Sequence, residues 1–236
     1  VLGQWFLADC RQQLPALSLA LMALLLALAA NIGAGSMTSG FRQTFNNWLE
    51  QRLTAELYLN PQNPAQARSL QAWLNEQPQV QAVLPTWQVS IQLQGWPVDA
   101  VGVIDHPTYR QHWPLLDTQA DDPWDQLARD DTLMLSEQLA RRLKVQVGDQ
   151  LTIPTPQGQW SPRIVAIYAD YGNPKGHLLV NAQHLLRYWP QLSPNRFNLR
   201  IAPVSVPPLV RELQSRFALE DSRIVDQSRL KGWSTQ

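Results

Sequence analysis

Between Gln12 and Phe41 the chain runs for 30 residues without a charged side chain, and the middle of that run reads PALSLALMALLLALAANIGAG. About 20 mostly apolar residues suffice for a helix to cross a hydrocarbon core about 30 Å thick. A soluble fold would have to bury such a segment on every face. The remaining 195 residues, Arg42 to Gln236, are polar, punctuated by proline and mixed in periodicity. The expected organisation is a short cytoplasmic-side segment (1–13), a transmembrane helix (14–36) and a large soluble part.

A secretory signal peptide is the rival reading, with Arg11 as its basic region, Ala16 to Ala30 as its apolar region and Ala27-Leu28-Ala29 as a small-residue site. Three features favour a retained helix. Position 1 is Val rather than Met, as in an excerpt of a longer chain. The apolar run continues through Ile32 and Met37. Beyond it Phe41, Phe45, Trp48, Leu49, Arg52 and Leu53 recur at helical spacing, so residues 37–54 read as a stalk helix. Orientation is weakly marked, because Arg11 precedes the span while Arg42 and Arg52 follow it. Cys10 is the sole cysteine, so the large domain has no disulfide framework, which is compatible with export.

Lys plus Arg equals Asp plus Glu at 19 each, and the only lysines are Lys144, Lys175 and Lys231. No block of like charge appears, so the footprint of a nucleic-acid binder is missing. Ten tryptophans and a hydrophobic fraction of 44% supply the apolar area for a real core. No repeat at a solenoid period is visible.

Ala55 to Leu59 alternates like a half-buried strand. Pro64 to Gln77 places Ala67, Leu70, Trp73 and Leu74 on one helical face, with Pro64 in the first turn. Strands follow at Val80–Leu84 and Trp87–Leu93, then a Gly95-Trp96-Pro97 turn and a strand from Val98 to Ile104. His106 to Arg129 is the least regular region, broken by Pro107, Pro114 and Pro123. Leu133 to Leu135 reads as a strand, Ser136 as the cap of a helix from Glu137 to Leu143, and Val147-Gly148-Asp149 as a turn. Strands at Gln150–Ile153, Arg163–Tyr168 and Leu178–Val180 come next, then a short helix over Leu185–Trp189. Phe197–Ile201, Val206–Phe217 and Arg223–Val225 form a second strand-helix-strand unit. The expected class is α+β: two strand-helix-strand units (55–104 and 195–226) share a mixed sheet, and a mostly β subdomain (105–194) is inserted between them. Residues 227–236, with Leu230 and Trp233, read as a returning stalk helix.

The segment LSEQLARRLKVQVGDQLTIP, Leu135 to Pro154, together with RIVAIYADYGNPKGHLLV, Arg163 to Val180, resembles the extracytoplasmic domain of the MacB/FtsX-like permease family of ATP-binding-cassette transporters. The signature positions are Ser136, Glu137, Leu139, Ala140, Leu143, Val147, Gly148, Asp149, Asp170, Tyr171 and Gly172. The run NIGAGSMTSGFRQTFNNWLEQRLTAELYL is also similar to that family, in joining a membrane helix to a first strand. The likeness is strongest to the second half of large, internally duplicated permeases. It implies a bacterial inner-membrane location with the large domain in the periplasm. It also implies a separate cytoplasmic ATPase subunit and a second permease half, in the same chain or in a dimer. The signature residues are expected to maintain the fold.

Other patterns are better explained structurally. Gly33-Ala34-Gly35 with Gly40 lacks the spacing and the preceding strand of a dinucleotide loop. Asn31, Gly33 and Gly35 are expected instead to pack against a neighbouring membrane helix. His106, His112, His177 and His184 show no metal-ligand spacing. Asp105-His106, Asp121-Asp122 and Asp130-Asp131 read as turns and caps. No G-x-S-x-G elbow and no P-loop is present, so no catalytic residue, metal or cofactor is expected and ATP hydrolysis belongs to another chain. The expected function is a permease subunit that converts that hydrolysis into export or extraction of a hydrophobic or lipid-like cargo, through the stalk residues Phe41, Phe45, Trp48, Leu49 and Leu53. Membrane lipid and a periplasmic protein are further expected partners. The alternative is a membrane-anchored periplasmic module that regulates an envelope enzyme and transports nothing.

Overall fold

The computed structural model describes residues 18–38, 40–41, 55–171 and 173–227. It divides into two units, residues 1–50 and 51–236. In the first, helix α1 (Ser18–Thr38) is long and apolar enough to cross a membrane. Its leucines are exposed, which in water would be costly and in lipid would not be. The Ser36 hydroxyl donates to Gly33 O at 3.0 Å and the Thr38 hydroxyl to Ala34 O at 2.8 Å, so both polar groups are satisfied within the helix.

The second unit holds strands β1 (Leu57–Leu59), β2 (Val80–Leu93), β3 (Trp96–Val103), β4 (Leu115–Thr118), β5 (Thr132–Ser136), β6 (Ile153–Thr155), β7 (Gly158–Trp160), β8 (Arg163–Tyr168), β9 (Gly176–Asn181), β10 (Arg196–Ile201) and β11 (Ile224–Asp226). Its helices are α2 (Pro64–Asn75), α3 (Pro107–His112), α4 (Pro123–Arg129), α5 (Glu137–Leu143), α6 (Ala182–Tyr188) and α7 (Val206–Phe217). Nine strands make one mixed sheet in the order β11-β1-β10-β2-β3-β9-β5-β8-β4, and β6 and β7 pair separately.

The two strand-helix-strand units, β1-α2-β2 and β10-α7-β11, interleave at one end of this sheet. That is the split β-α-β arrangement of ferredoxin-like folds. Asn63 caps α2 by accepting from Gln66 N at 2.9 Å, while the Gln66 carboxamide accepts from Gln62 N and donates to Phe217 O at the end of α7. Along α7, Val206, Leu209, Val210 and Leu213 are buried at i, i+3, i+4 and i+7, the spacing of one helical face. They share a core with Leu70 and Leu74 of α2 and with Leu57, Phe197 and Leu199 of the sheet.

At the other end, β5 is covered on both sides. Leu133 and Leu135 face α5 and α6, and Met134 faces α3 and α4, as period-2 alternation requires. Helix α6 lies close on β3, because a Cβ on Gly102 would come within 2.9 Å of Leu185 Cδ2 and 3.1 Å of Ala182 Cα.

Three local expectations are corrected. The strand pair 80–84 and 87–93 is one continuous strand, since residues up to Thr86 pair with β10 and those from Thr86 onward pair with β3. Pro85 costs the ladder one N–H and does not end it. The hairpin turn is Gln94-Gly95, with φ of 51° and 77°, a two-residue loop with both positions left-handed; Trp96 and Pro97 are already strand. Gln150 makes only an isolated bridge to Arg163, and the strand begins at Ile153.

Helices α5 and α7 both end on a non-glycine residue in the left-handed region, Lys144 at φ 57° and Ala218 at φ 50°. That conformation costs an L-residue about 1–2 kcal/mol, against about 0.5–1 kcal/mol of extra unfolded-state freedom for glycine. Lys144→Gly is therefore expected to raise stability by about 0.5–1 kcal/mol, read as a higher urea midpoint at unchanged slope.

Candidate functional site

Ser136, Glu137 and Asp170 lie where β5 and β8 end and β9 begins, while the Val147-Gly148-Asp149 turn meets the other end of β8. Leu139, Ala140 and Leu143 of α5 pack into the core with Val98, Leu178 and Trp160. Glu137 accepts from Arg141 at 2.5 Å on the surface of the same helix. Gly176, at the start of β9, has no room for a side chain: a Cβ there would stand 2.7 Å from Leu139 Cδ1 and 2.9 Å from Val98 Cγ2.

Ser136 occupies the N-cap position of α5 but makes no side-chain cap bond. Its buried hydroxyl accepts from His177 N at 3.2 Å, because β9 supplies a backbone donor at close range. The His177 ring bonds Tyr168 OH through Nδ1. In the adjacent register position Asp99 of β3 stands opposite His177, accepting from Ser90 Oγ at 2.6 Å and pairing with Lys175 Nζ at 3.4 Å. Asp170 is buried and accepts from Asn173 Nδ2 at 3.0 Å, and its carbonyl accepts from Gln138 Nε2 at 2.8 Å. Tyr171 beside it is 45% exposed, and Gly172 lies outside the described residues. These bonds tie β2, β3, β5, β8 and β9 to α5 and to the 169–175 loop.

The Val147-Gly148-Asp149 turn is held from both sides. Gly148 takes φ 97°, its N–H donates to Ile164 O at 2.8 Å, and Asp149 O accepts from Ile164 N at 2.8 Å. The Asp149 carboxylate accepts from Gln146 N at 2.9 Å, a turn-closing bond open to short acidic side chains.

Ser136 does not form a nucleophile–base pair with His177. Ser136 accepts from the backbone of His177 rather than from its ring, so the geometry required for hydroxyl activation is not met. Among the described residues no three His, Cys, Asp or Glu side chains group closely enough to hold a metal ion. Asp105 and His106 serve α3 separately: Asp105 pairs with Arg110 at 2.7 Å, and His106 Nδ1 accepts from Thr108 N at 3.2 Å. Burial, with Arg200 nearby, holds the His106 pKa below its usual value. Asp122 caps α4 through Trp124 N and Asp125 N.

Asn31, Gly33 and Gly35 are exposed on α1, and a Cβ on either glycine would meet nothing within 4 Å. Of the stalk positions Phe41 is helical and exposed. Phe45, Trp48, Leu49 and Leu53 lie outside the described residues, as do Leu230 and Trp233. Gly176, Tyr168 and Asp99 escaped the sequence reading. Their roles depend on strand register, which local spacing does not encode.

The MacB-like periplasmic core domain family matches residues 17–215. The chain belongs to that family. The match takes in both signature segments and thus shows the MacB/FtsX-like resemblance they carry. An uncharacterised ABC transporter permease protein of Mycobacterium tuberculosis is 24% identical over 226 residues, which is 88% of this chain and 26% of the relative. The chain thus spans about a quarter of the length of that curated relative. Among solved structures, the periplasmic region of MacB from Actinobacillus actinomycetemcomitans is similar at a TM-score of 0.49 and 14% identity, covering 76% of this chain and 93% of that one. The extracellular domain of the noncanonic ABC-type transporter YknZ from Gram-positive bacteria gives 0.47 and 11%, covering 73% and 98%.

One buried side chain of the MacB-like domain is expected to make its stability depend on pH. His184 of α6 is 8% exposed, and its Nδ1 has no hydrogen-bond partner among the described residues. Burial pushes its pKa down, and Asp131 partly opposes this. The unfolded chain then binds more protons than the native one between the depressed value and about 6.5, so stability rises with pH across that window. Melting of the wild type is expected to drop as pH falls below about 6.5, and His184→Gln to flatten that drop.

Proposed function

We propose that this chain is a membrane helix and periplasmic domain of an inner-membrane permease subunit in an ATP-binding-cassette system. A separate cytoplasmic ATPase hydrolyses ATP, a second permease half completes the transporter, and the periplasmic domain uses the transmitted motion to export or extract a hydrophobic or lipid-like cargo. The observation that carries this reading is the family match over residues 17–215, which begins at an apolar helix fit to span a bilayer. No ATP-binding P-loop lies in these 236 residues, and the proposal assigns hydrolysis to a separate subunit.

The test is affinity purification of the natural full-length protein from its own membranes, followed by reconstitution in nanodiscs. A co-purifying ATPase whose activity depends on the permease supports the proposal. Purification without one, together with a stable complex with an envelope enzyme, overturns it in favour of a regulatory module. The stalk proposal has its own assay. Asn47 lies outside the described residues, and a proline there costs about 3 kcal/mol in a helix interior. Asn47→Pro is expected to abolish the export-linked phenotype while ATPase assembly is kept; full complementation would make residues 37–54 a passive tether.

A further inference from the structure

Strand β4 covers the edge of β8 only as far as the Thr118–Ala166 pair, and the Val147–Asp149 turn takes over at Ile164. The residue between, Val165, sits at a register shift of β8 against β5. Such bulges terminate pairing and re-aim side chains. Here the gap opens as a cleft of about 190 Å³, lined by Gln119, Gln126, Gly148, Arg163 and Val165 among others.

Its floor is apolar and buried, and its rim is polar. Arg163 is the one charged residue in the lining. Among the described residues its guanidinium makes no ion pair. The nearby acid Asp131, whose carbonyl accepts from Arg163 N, has its Oδ1 held by Trp160 Nε1 at 2.6 Å. Gln126 lines the cleft, and its backbone carbonyl accepts from Thr132 Oγ1 at 3.1 Å. Gln119 is fixed by donating to Val147 O at 3.3 Å. Gly148 leaves the mouth open, since a Cβ there would point toward Gln119 Oε1 at 3.6 Å.

We infer that this cleft binds a small oxyanion, a phosphate or carboxylate group, held by the Arg163 fork and the Gln126 amide. A guanidinium presents two parallel N–H donors to such a group. The volume suits a single headgroup rather than an acyl chain or a folded peptide. The inference does not depend on the permease reading.

Calorimetry on the full chain in phosphatidylcholine nanodiscs tests it, with inorganic phosphate, acetate and a water-soluble short-chain phosphatidate as probes. Saturable binding of at least one probe is expected. Arg163→Gln is expected to weaken it about tenfold or more, the worth of a charged hydrogen bond, and Arg163→Lys to restore only part of it. Melting of the unliganded protein should not change, because Arg163 is exposed. Tighter binding of phosphatidate than of phosphate would identify a lipid headgroup as the source, and equal binding a free oxyanion. No saturable heat with any probe, or undiminished binding by Arg163→Gln, overturns the inference.

Discussion

Trp160→Ala is expected to lower the unfolding free energy of the periplasmic domain by about 3–5 kcal/mol, the usual cost of truncating a large buried aromatic. Trp160 is 1% exposed. It stacks on Tyr188 at 4.9 Å, meets Trp189 edge-on at 6.5 Å, and donates Nε1 to Asp131 at 2.6 Å. It also ties down the β6–β7 hairpin, and an isolated two-stranded hairpin is marginal in water. Urea unfolding followed by near-ultraviolet circular dichroism measures the effect. Trp160→Phe keeps the stacking and loses the hydrogen bond, so it should cost much less. A midpoint for Trp160→Ala close to that of the wild type would show that the hairpin is not anchored through this ring.

Leu25→Arg is expected to impair membrane insertion of α1. An arginine at the centre of a span costs about 2.5–3.5 kcal/mol on insertion scales, and Leu25 lies near the middle of Ser18–Thr38. Alkaline-carbonate extraction of the expressed protein should move part of the variant into the soluble fraction while the wild type stays with the membrane. N-terminal sequencing of the mature protein supplies the complementary check, because a start near Ala30 would make the helix a removed leader.

Much of the architecture was legible from short-range pattern. The α7 helix, Val206 to Phe217, was readable from its proline start and its i, i+3, i+4, i+7 stripe. The strand Arg163–Tyr168 and the glycine turn at 148 were likewise local. What stayed hidden was register. No spacing rule announces that His177 N will meet Ser136 Oγ 41 positions away, or that Leu139 will lie over Gly176. Ser136 does hold the N-cap position of α5, but its hydroxyl serves a tertiary donor, His177 N, in place of a local one. The oxyanion cleft was equally invisible, because it arises where two segments distant in sequence divide the edge of one strand.

Strand β2 has a mechanical consequence. The split β-α-β end of the sheet holds on to its first half and the β3-β9-β5-β8-β4 end to its second, with Thr86 alone paired to both Arg196 and Val103. Side contacts also cross this line: Asn198 Nδ2 donates to Tyr109 OH at 2.9 Å, Arg200 Nη1 donates to Thr108 Oγ1 at 3.0 Å, and Leu84 shares a core with Tyr109 and Val103. A pull directed along β2 therefore passes between the two ends through covalent backbone and loads the flanking ladders in shear. Hydrogen bonds so loaded must yield together, whereas bonds opened across a ladder yield one at a time. The sheet is therefore expected to be stiff to tension along β2.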